Sequence, residues 1–344
     1  MPAGLSAYLD LIRSGAALVV LLSHAWAAFV PAHPLPWPAH EAVIVFFVLS
    51  GYVVAYVTAT KERIFSAYAL SRTARILSAT LPALAIAAAV AGLEGQAGRD
   101  IARDVALNFF FVAQSWSFKN LLLGDPPYWS LCYEVWYYAI FAAAVFPSTR
   151  RARLIWTVLL GLAAGPRILV LMPCWLAGVA LYHGAGRVRL GPAAAAWLFA
   201  ASVAAFALFY WFDLSLDLRA YMFVHHGALM EGLQGSNQFP GDYILALIVS
   251  ANFLGAYHLA GAATRWLVRH KRAIGMAASN TLSLYLYHYP AMLLVQHLGI
   301  AGWLGIPLTI GACLALAPFT EHRKTALRNA LRAALARTRA LAFS

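Results

Sequence analysis

Apolar runs of about twenty residues recur along this chain from end to end, and a run of that length is what crossing the roughly 30 Å hydrocarbon core of a bilayer requires. Ten can be marked, near residues 7–30, 41–60, 76–93, 127–147, 153–165, 168–185, 192–212, 242–262, 274–297 and 301–319. Of the 344 residues, 62% are hydrophobic and 11% charged, whereas soluble domains average about 45–50% and 25%. A backbone in lipid must satisfy its own hydrogen bonds. The predicted fold is therefore all-α, a polytopic transmembrane bundle of about ten helices with no soluble domain, in which 1–320 form the membrane domain and 321–344 a basic cytoplasmic tail. Gly161, Gly165 and Pro166 predict a break in the fifth run, and 104–117 is a candidate re-entrant piece. The polar stretch 213–241 reads as an outer loop.

A net charge of +12 invites a nucleic-acid reading, but the placement of the basic residues excludes it. Nineteen of the 25 follow even-numbered segments, among them Lys61, Arg63, Arg72 and Arg75, then Arg150, Arg151 and Arg153. Further groups run from Arg265 to Arg272 and from Arg323 to Arg339. By the positive-inside rule both termini are cytoplasmic. Cys132, Cys174 and Cys313 all sit in apolar runs and read as small core residues rather than a disulfide framework.

The first segment carries three ionisable groups, Asp10, Arg13 and His24. Charge there is costly and marks a functional site by default. Eleven residues of helix leave Arg13 and His24 roughly 20° apart around the axis and about 16 Å apart along it. Asp10 lies three residues before Arg13, close enough to pair with it. A packing cluster with a core histidine is the plain alternative.

Other chemistry is spread along the chain. In FFVLSGY, Ser50 and Gly51 permit close approach of a helix or of a thin ligand. Arg72 and Arg75, one turn apart on a predicted interfacial helix, suit a phosphorylated ligand or a lipid headgroup. In PPYWSLCYEVWYY, Ser130 and Glu134 share a face with Tyr138 one turn on, and Trp129 is a pocket or belt residue. A carboxylate at Glu134 needs a buried Arg, a tyrosine hydroxyl or a substrate hydroxyl. In SNTLSLYLYHYP, Asn280, Leu284 and His288 recur every fourth residue. His33 and His40 read as solvated, and Arg167 as reaching outward. No Cys or His cluster has metal-ligand spacing, so no metal is expected.

In this order, LDLIRSGAALVVLLSH, FFVLSGY, RTARI, YWSLCYEVWYY and YLYHYP together resemble the acyltransferase family 3 membrane proteins, which O-acylate bacterial surface polysaccharides and other acceptors. The match spans residues 10–290. Family members often carry Arg-Ile-x-Pro, whereas here Ser78 stands at the proline place and the proline waits until Pro82. The resemblance implies transfer of an acyl group, usually acetyl, from cytoplasmic acyl-CoA to a glycan hydroxyl, in a bacterial cytoplasmic (inner) membrane. It further implies that Arg13 and His24 are essential.

On that footing His24 is the expected general base and Arg13 orients the donor or stabilises developing charge. Arg72 and Arg75 hold the acyl-CoA phosphates. Asp10, Ser50, Trp129, Ser130, Glu134, Tyr138 and His288 shape or support the pocket. Expected partners are acyl-CoA, a glycan or lipid-linked saccharide, and membrane lipid, with no nucleic acid. The rivals are a transporter or flippase using Asp10, Arg13 and His24 as a relay, and a catalytically silent scaffold.

Overall fold

The structure, a computed structural model, describes residues 1–33, 35–116, 126–259 and 264–342. Its helices are α1 (Ala3–Phe29), α2 (Ala39–Thr60), α3 (Phe65–Leu93), α4 (Gly98–Phe109), α5 (Trp129–Val145), α6 (Arg150–Ala164), α7 (Pro166–Ala185) and α8 (Pro192–Trp211). There follow α9 (Leu214–Leu233), α10 (Phe239–His258), α11 (Arg265–Arg269), α12 (Lys271–Ala278), α13 (Thr281–His297), α14 (Gly305–Leu316) and α15 (Lys324–Ala342). Among the described residues there is no strand.

Seven stretches are long and apolar enough to cross a bilayer: α1, α2, α3, α7, α8, α10 and the run Gly302–Thr338. The chain is a multi-pass, all-α membrane protein. α5, α6 and α13 occupy the three remaining predicted positions, with 17, 15 and 17 residues. At 1.5 Å per residue these reach only about 22–26 Å. Seven full-length spans and three shorter helices thus stand where ten similar ones are expected.

Three boundaries differ from the sequence reading. The predicted interfacial helix and the run 76–93 are one continuous helix, α3, of 29 residues with Pro82 inside it. Pro82 has no N–H to give to the Ser78 carbonyl; in the same turn the Tyr287 hydroxyl of α13 donates to the neighbouring carbonyl of Ala79, 3.1 Å away. Arg72 and Arg75 therefore ride on a spanning helix. The stretch 213–241, read as a loop, is mostly α9, whose helical geometry is interrupted at His226 (φ −142°, ψ 41°). The candidate re-entrant piece is instead the end of α4 followed by turns in which Phe111 and Trp116 adopt φ of 57° and 52°; residues 117–125 of that connection lie outside the described residues.

The break predicted in the fifth run falls at its end instead, α6 running unbroken through Gly161 to Ala164. Gly165, at φ +85°, separates α6 from α7, and Pro166 opens α7. Any side chain at Gly165 would press on the Trp116 backbone nitrogen, 2.8 Å from where its Cβ would stand. Arg167 does not reach outward: it is 5% exposed and its Nε donates to the Gly232 carbonyl over 2.8 Å. A buried guanidinium needs such a partner, and the end of α9 supplies it.

The tightest packing lies between α2 and α7. A Cβ added at Gly51 would overlap the Trp175 carbonyl, and one at Gly178 the Val48 carbonyl. Small residues at a crossing let membrane helices approach to backbone contact. That approach carries the Trp175 indole to Ser50, where its Nε1 donates to Oγ at 3.2 Å.

Candidate functional site: a cationic cavity and a histidine pair

Five helices bring polar side chains to one internal cavity of ≈ 80 Å³. α1 contributes Arg13, α2 Ser50, α3 Arg72 and Arg75, α5 Ser130, Glu134 and Tyr138, and α13 Tyr285. These come from residues more than 270 positions apart in the chain, each on a helix that is otherwise apolar. Three cations face a single carboxylate across this wall.

The carboxylate is held locally. Glu134 Oε1 accepts the Ser50 hydroxyl at 2.6 Å and also the Tyr138 hydroxyl. Ser50 is in turn fixed by Trp175. The partner that Glu134 requires is thus a pair of hydroxyls, one from α2 and one from its own helix, and its charge remains available to the arginines.

The cations are only partly neutralised. Arg13 donates to Asp10 at 2.8 Å, and Arg72 to Glu62 at 2.8 Å. Arg72 also lies 5.5 Å above the rings of both Tyr68 and Tyr138. Yet the buried Nε–H groups of Arg13 and Arg72 have no hydrogen-bond partner among the described residues. The Arg75 side chain makes no hydrogen bond or ion pair with a described residue. Leaving a buried donor unpaired costs about 1–3 kcal/mol, so an acceptor placed in the cavity would be stabilised by these groups. Lys324, the first residue of α15, interacts electrostatically with Arg75 and Arg13. It is placed there by its neighbour Glu321, whose Oε2 accepts from the Ser283 backbone N–H at 3.0 Å and from its hydroxyl at 3.1 Å.

His24 stands apart from the cavity wall. Its Nδ1 lies 3.0 Å from Nε2 of His288, with the rings stacked at 5.2 Å. His288 Nδ1 lies 2.8 Å from the Leu284 carbonyl. A carbonyl can only accept, so His288 carries its proton on Nδ1, and its Nε2 is an acceptor. His24 must then donate from Nδ1, which leaves its own Nε2 with a free lone pair. Backbone, second imidazole and first imidazole form a chain that fixes one tautomer. On this side the cavity wall reaches Tyr285, one turn of α13 before His288, and the Tyr285 hydroxyl bonds Ser130 Oγ at 2.6 Å.

Of the two groups on this stripe of α1, Arg13 borders the cavity and His24 does not. Trp129 also lies elsewhere. It stacks on His40 at 6.3 Å with an interplanar angle of 13°. His40, read as solvated, is in fact paired with Asp242, Nε2 to Oδ1 at 2.8 Å, and Asp242 is 1% exposed. No spacing rule links residues 202 positions apart, which is why the pairing escapes the sequence. Asp10 supports Arg13 from outside the wall. Asn280, on the predicted face with His288, instead accepts from His322 at 3.0 Å. Trp175, Tyr285, Glu62 and Lys324 are the site residues that sequence reasoning does not single out. Among the described residues no group of three or more His, Cys, Asp or Glu could hold a metal.

Comparison with known proteins accounts for this arrangement at the level of family. No curated protein and no solved structure matches the chain. The model of the acyltransferase family 3 acyltransferase domain matches residues 6–320, nearly the whole chain, including each of the cavity arginines and both paired histidines. The chain belongs to this acyltransferase family.

Proposed function

We propose that the protein is an integral-membrane O-acyltransferase that moves an acyl group, acetyl in the usual case, from cytoplasmic acyl-CoA to a hydroxyl of a polysaccharide or other glycan. What supports this reading is the tautomer-fixed His24–His288 pair on α1 and α13, the helices that also bring Arg13 and Tyr285 to a cavity where the buried Nε–H groups of Arg13 and Arg72 have no partner among the described residues.

The donor's phosphates lie against Arg72, Arg75 and Lys324, where guanidinium forks match phosphate oxygens and the lysine adds a point charge. Arg13 faces the thioester carbonyl and stabilises the negative charge that develops on its oxygen. His24 Nε2 takes the proton of the acceptor hydroxyl as that oxygen bonds to the carbonyl carbon. When the carbon–sulfur bond breaks, the same proton passes from the imidazolium to the departing thiolate, releasing coenzyme A and an ester. His288 holds the proton on His24 Nδ1 throughout. Glu134, with Ser50 and Tyr138, keeps the wall opposite the arginines rigid. The basic loops set both termini in the cytoplasm of a bacterial inner membrane, so the donor enters from the Arg75 and Lys324 side and the acceptor from the His24 side.

The test is glycan analysis of a deletion strain complemented with wild type or His24→Ala. Ester-linked acyl groups should return only with wild type. Equal ester content with both would overturn the reading. Incubating the protein with acyl-CoA and no acceptor should leave His24 unmodified; an acyl adduct on that residue would replace direct transfer by an acyl-enzyme route.

A further inference from the structure

A second cavity, larger than the cationic one, lies beside it. It measures ≈ 670 Å³ and forms a trough between α3, α5 and α6. Its walls are apolar, with Ile76 and Leu77 on α3, Ala139 and Ala143 on α5, and Trp156 and Leu160 on α6. Ala139, Ala142 and Ala143 fall on one face of α5 at the three- and four-residue spacing, and their small side chains leave the trough open.

Two residues line both cavities: Arg72 and Tyr138. The partition between the trough and the polar site is therefore one guanidinium and one phenol. The Tyr138 hydroxyl is taken by Glu134, and Arg72 turns one nitrogen to Glu62 while its buried Nε–H has no partner among the described residues. An occupant with its polar end in the cationic cavity and its apolar end in the trough is one molecule with an anionic head and an aliphatic tail.

The trough also has a direction. It runs from Phe65 and Pro147, next to the loops bearing Lys61, Arg63 and Arg150, toward Leu77 and Val135. In the orientation proposed above, that is the inner half of the membrane. An amphiphile delivered from the cytoplasm can lay its tail there, whereas a carrier lipid of the outer leaflet cannot.

We propose that the trough binds the alkyl chain of a long-chain fatty acyl-CoA, so that the donor class extends well beyond acetyl. This rests on the acyltransferase reading and specifies its donor. The thioester carbonyl stays with Arg13 in the cationic cavity, the alkyl chain passes the Arg72–Tyr138 partition into the trough, and the coenzyme extends out of the cavity on its Arg75 side. Each methylene moved from water into the trough multiplies affinity by roughly four.

The full-length protein in phosphatidylcholine nanodiscs, irradiated with palmitoyl-CoA bearing a terminal diazirine, tests this by mapping the labelled peptides. Label is expected within residues 65–77 and 135–160. Excess unlabelled palmitoyl-CoA should remove it, and acetyl-CoA at the same concentration should not. Ala143→Phe, and independently Leu160→Trp from the opposite wall, should cut the label about tenfold, with correct folding checked by gel filtration. Label spread over outward-facing α8, or a diazirine phosphatidylcholine labelling the trough and resisting palmitoyl-CoA, would overturn the proposal in favour of ordinary boundary lipid. Labelling needs no catalysis, so intact labelling without transfer would remove the acyltransferase reading alone. Acetyl transfer with no trough labelling would remove the trough alone.

Discussion

Two histidines in this protein, His24 and His40, meet partners of opposite chemistry. His24 meets another imidazole whose proton is committed to a backbone carbonyl. No ionised partner is involved, and a lone pair is left over. His40 meets a carboxylate that is 1% exposed, and together they clamp the start of α2 to the start of α10. Such a buried ion pair ties helices together but leaves little proton affinity to spare. The contrast teaches that the partner, and not burial alone, sets what a histidine in this bundle can do: one is left with an acceptor nitrogen, the other is engaged by a carboxylate.

The comparison breaks most directly at His24. His24→Ala should lower the acyl-transfer rate by about 10³-fold, within the range a general base supplies, with little change in detergent melting temperature. His40→Phe should do the reverse. It leaves Asp242 charged, buried and unpaired, at a cost of about 3–5 kcal/mol, read as a large fall in melting temperature, while the folded fraction keeps its turnover number. Activity loss from His40→Phe in well-folded protein would mean the second pair is chemical too.

Smaller effects sharpen the picture. His288→Ala frees His24 to adopt either tautomer; losing that hydrogen bond should reduce kcat by about tenfold and leave KM for the donor unchanged. His288→Gln, which can still accept, should restore part of the rate. Arg75→Ala should raise the donor KM by about tenfold through loss of a charge-assisted contact. Lys324→Ala, outside the cavity lining, should raise it by only about threefold, and less so at high salt.

Much of this was readable before any coordinates. Apolar run length marks the spanning segments, and helical spacing puts Arg13 and His24 on one stripe of α1. The break at Gly165 follows from a glycine next to a proline. What spacing cannot supply is the partner across helices. Nothing local says that His288 lies against His24, that Trp175 reaches Ser50, or that His40 finds Asp242, because each contact is set by helix packing between distant segments. α9 was misread because its polar residues resemble a wet loop. The sequence divides α3 before residue 76 because the basic stretch that bears Arg72 and Arg75 resembles an interfacial helix, whereas the structure carries it straight into the apolar run. Ser50 and Gly51 could mean packing or ligand access from sequence; in the structure the glycine packs and the serine beside it bonds Glu134.

The backbone contact between α2 and α7 has a practical consequence for anyone who would make this protein sturdier. Replacing glycine by alanine inside a helix is a standard stabilising move, and Gly51 and Gly178 look like natural targets. Here one added methyl would push the helices apart, swing the Trp175 indole off Ser50 and loosen the wall that faces the arginines. Durability and reactivity share these two positions, so a hardened variant must be sought elsewhere in the bundle.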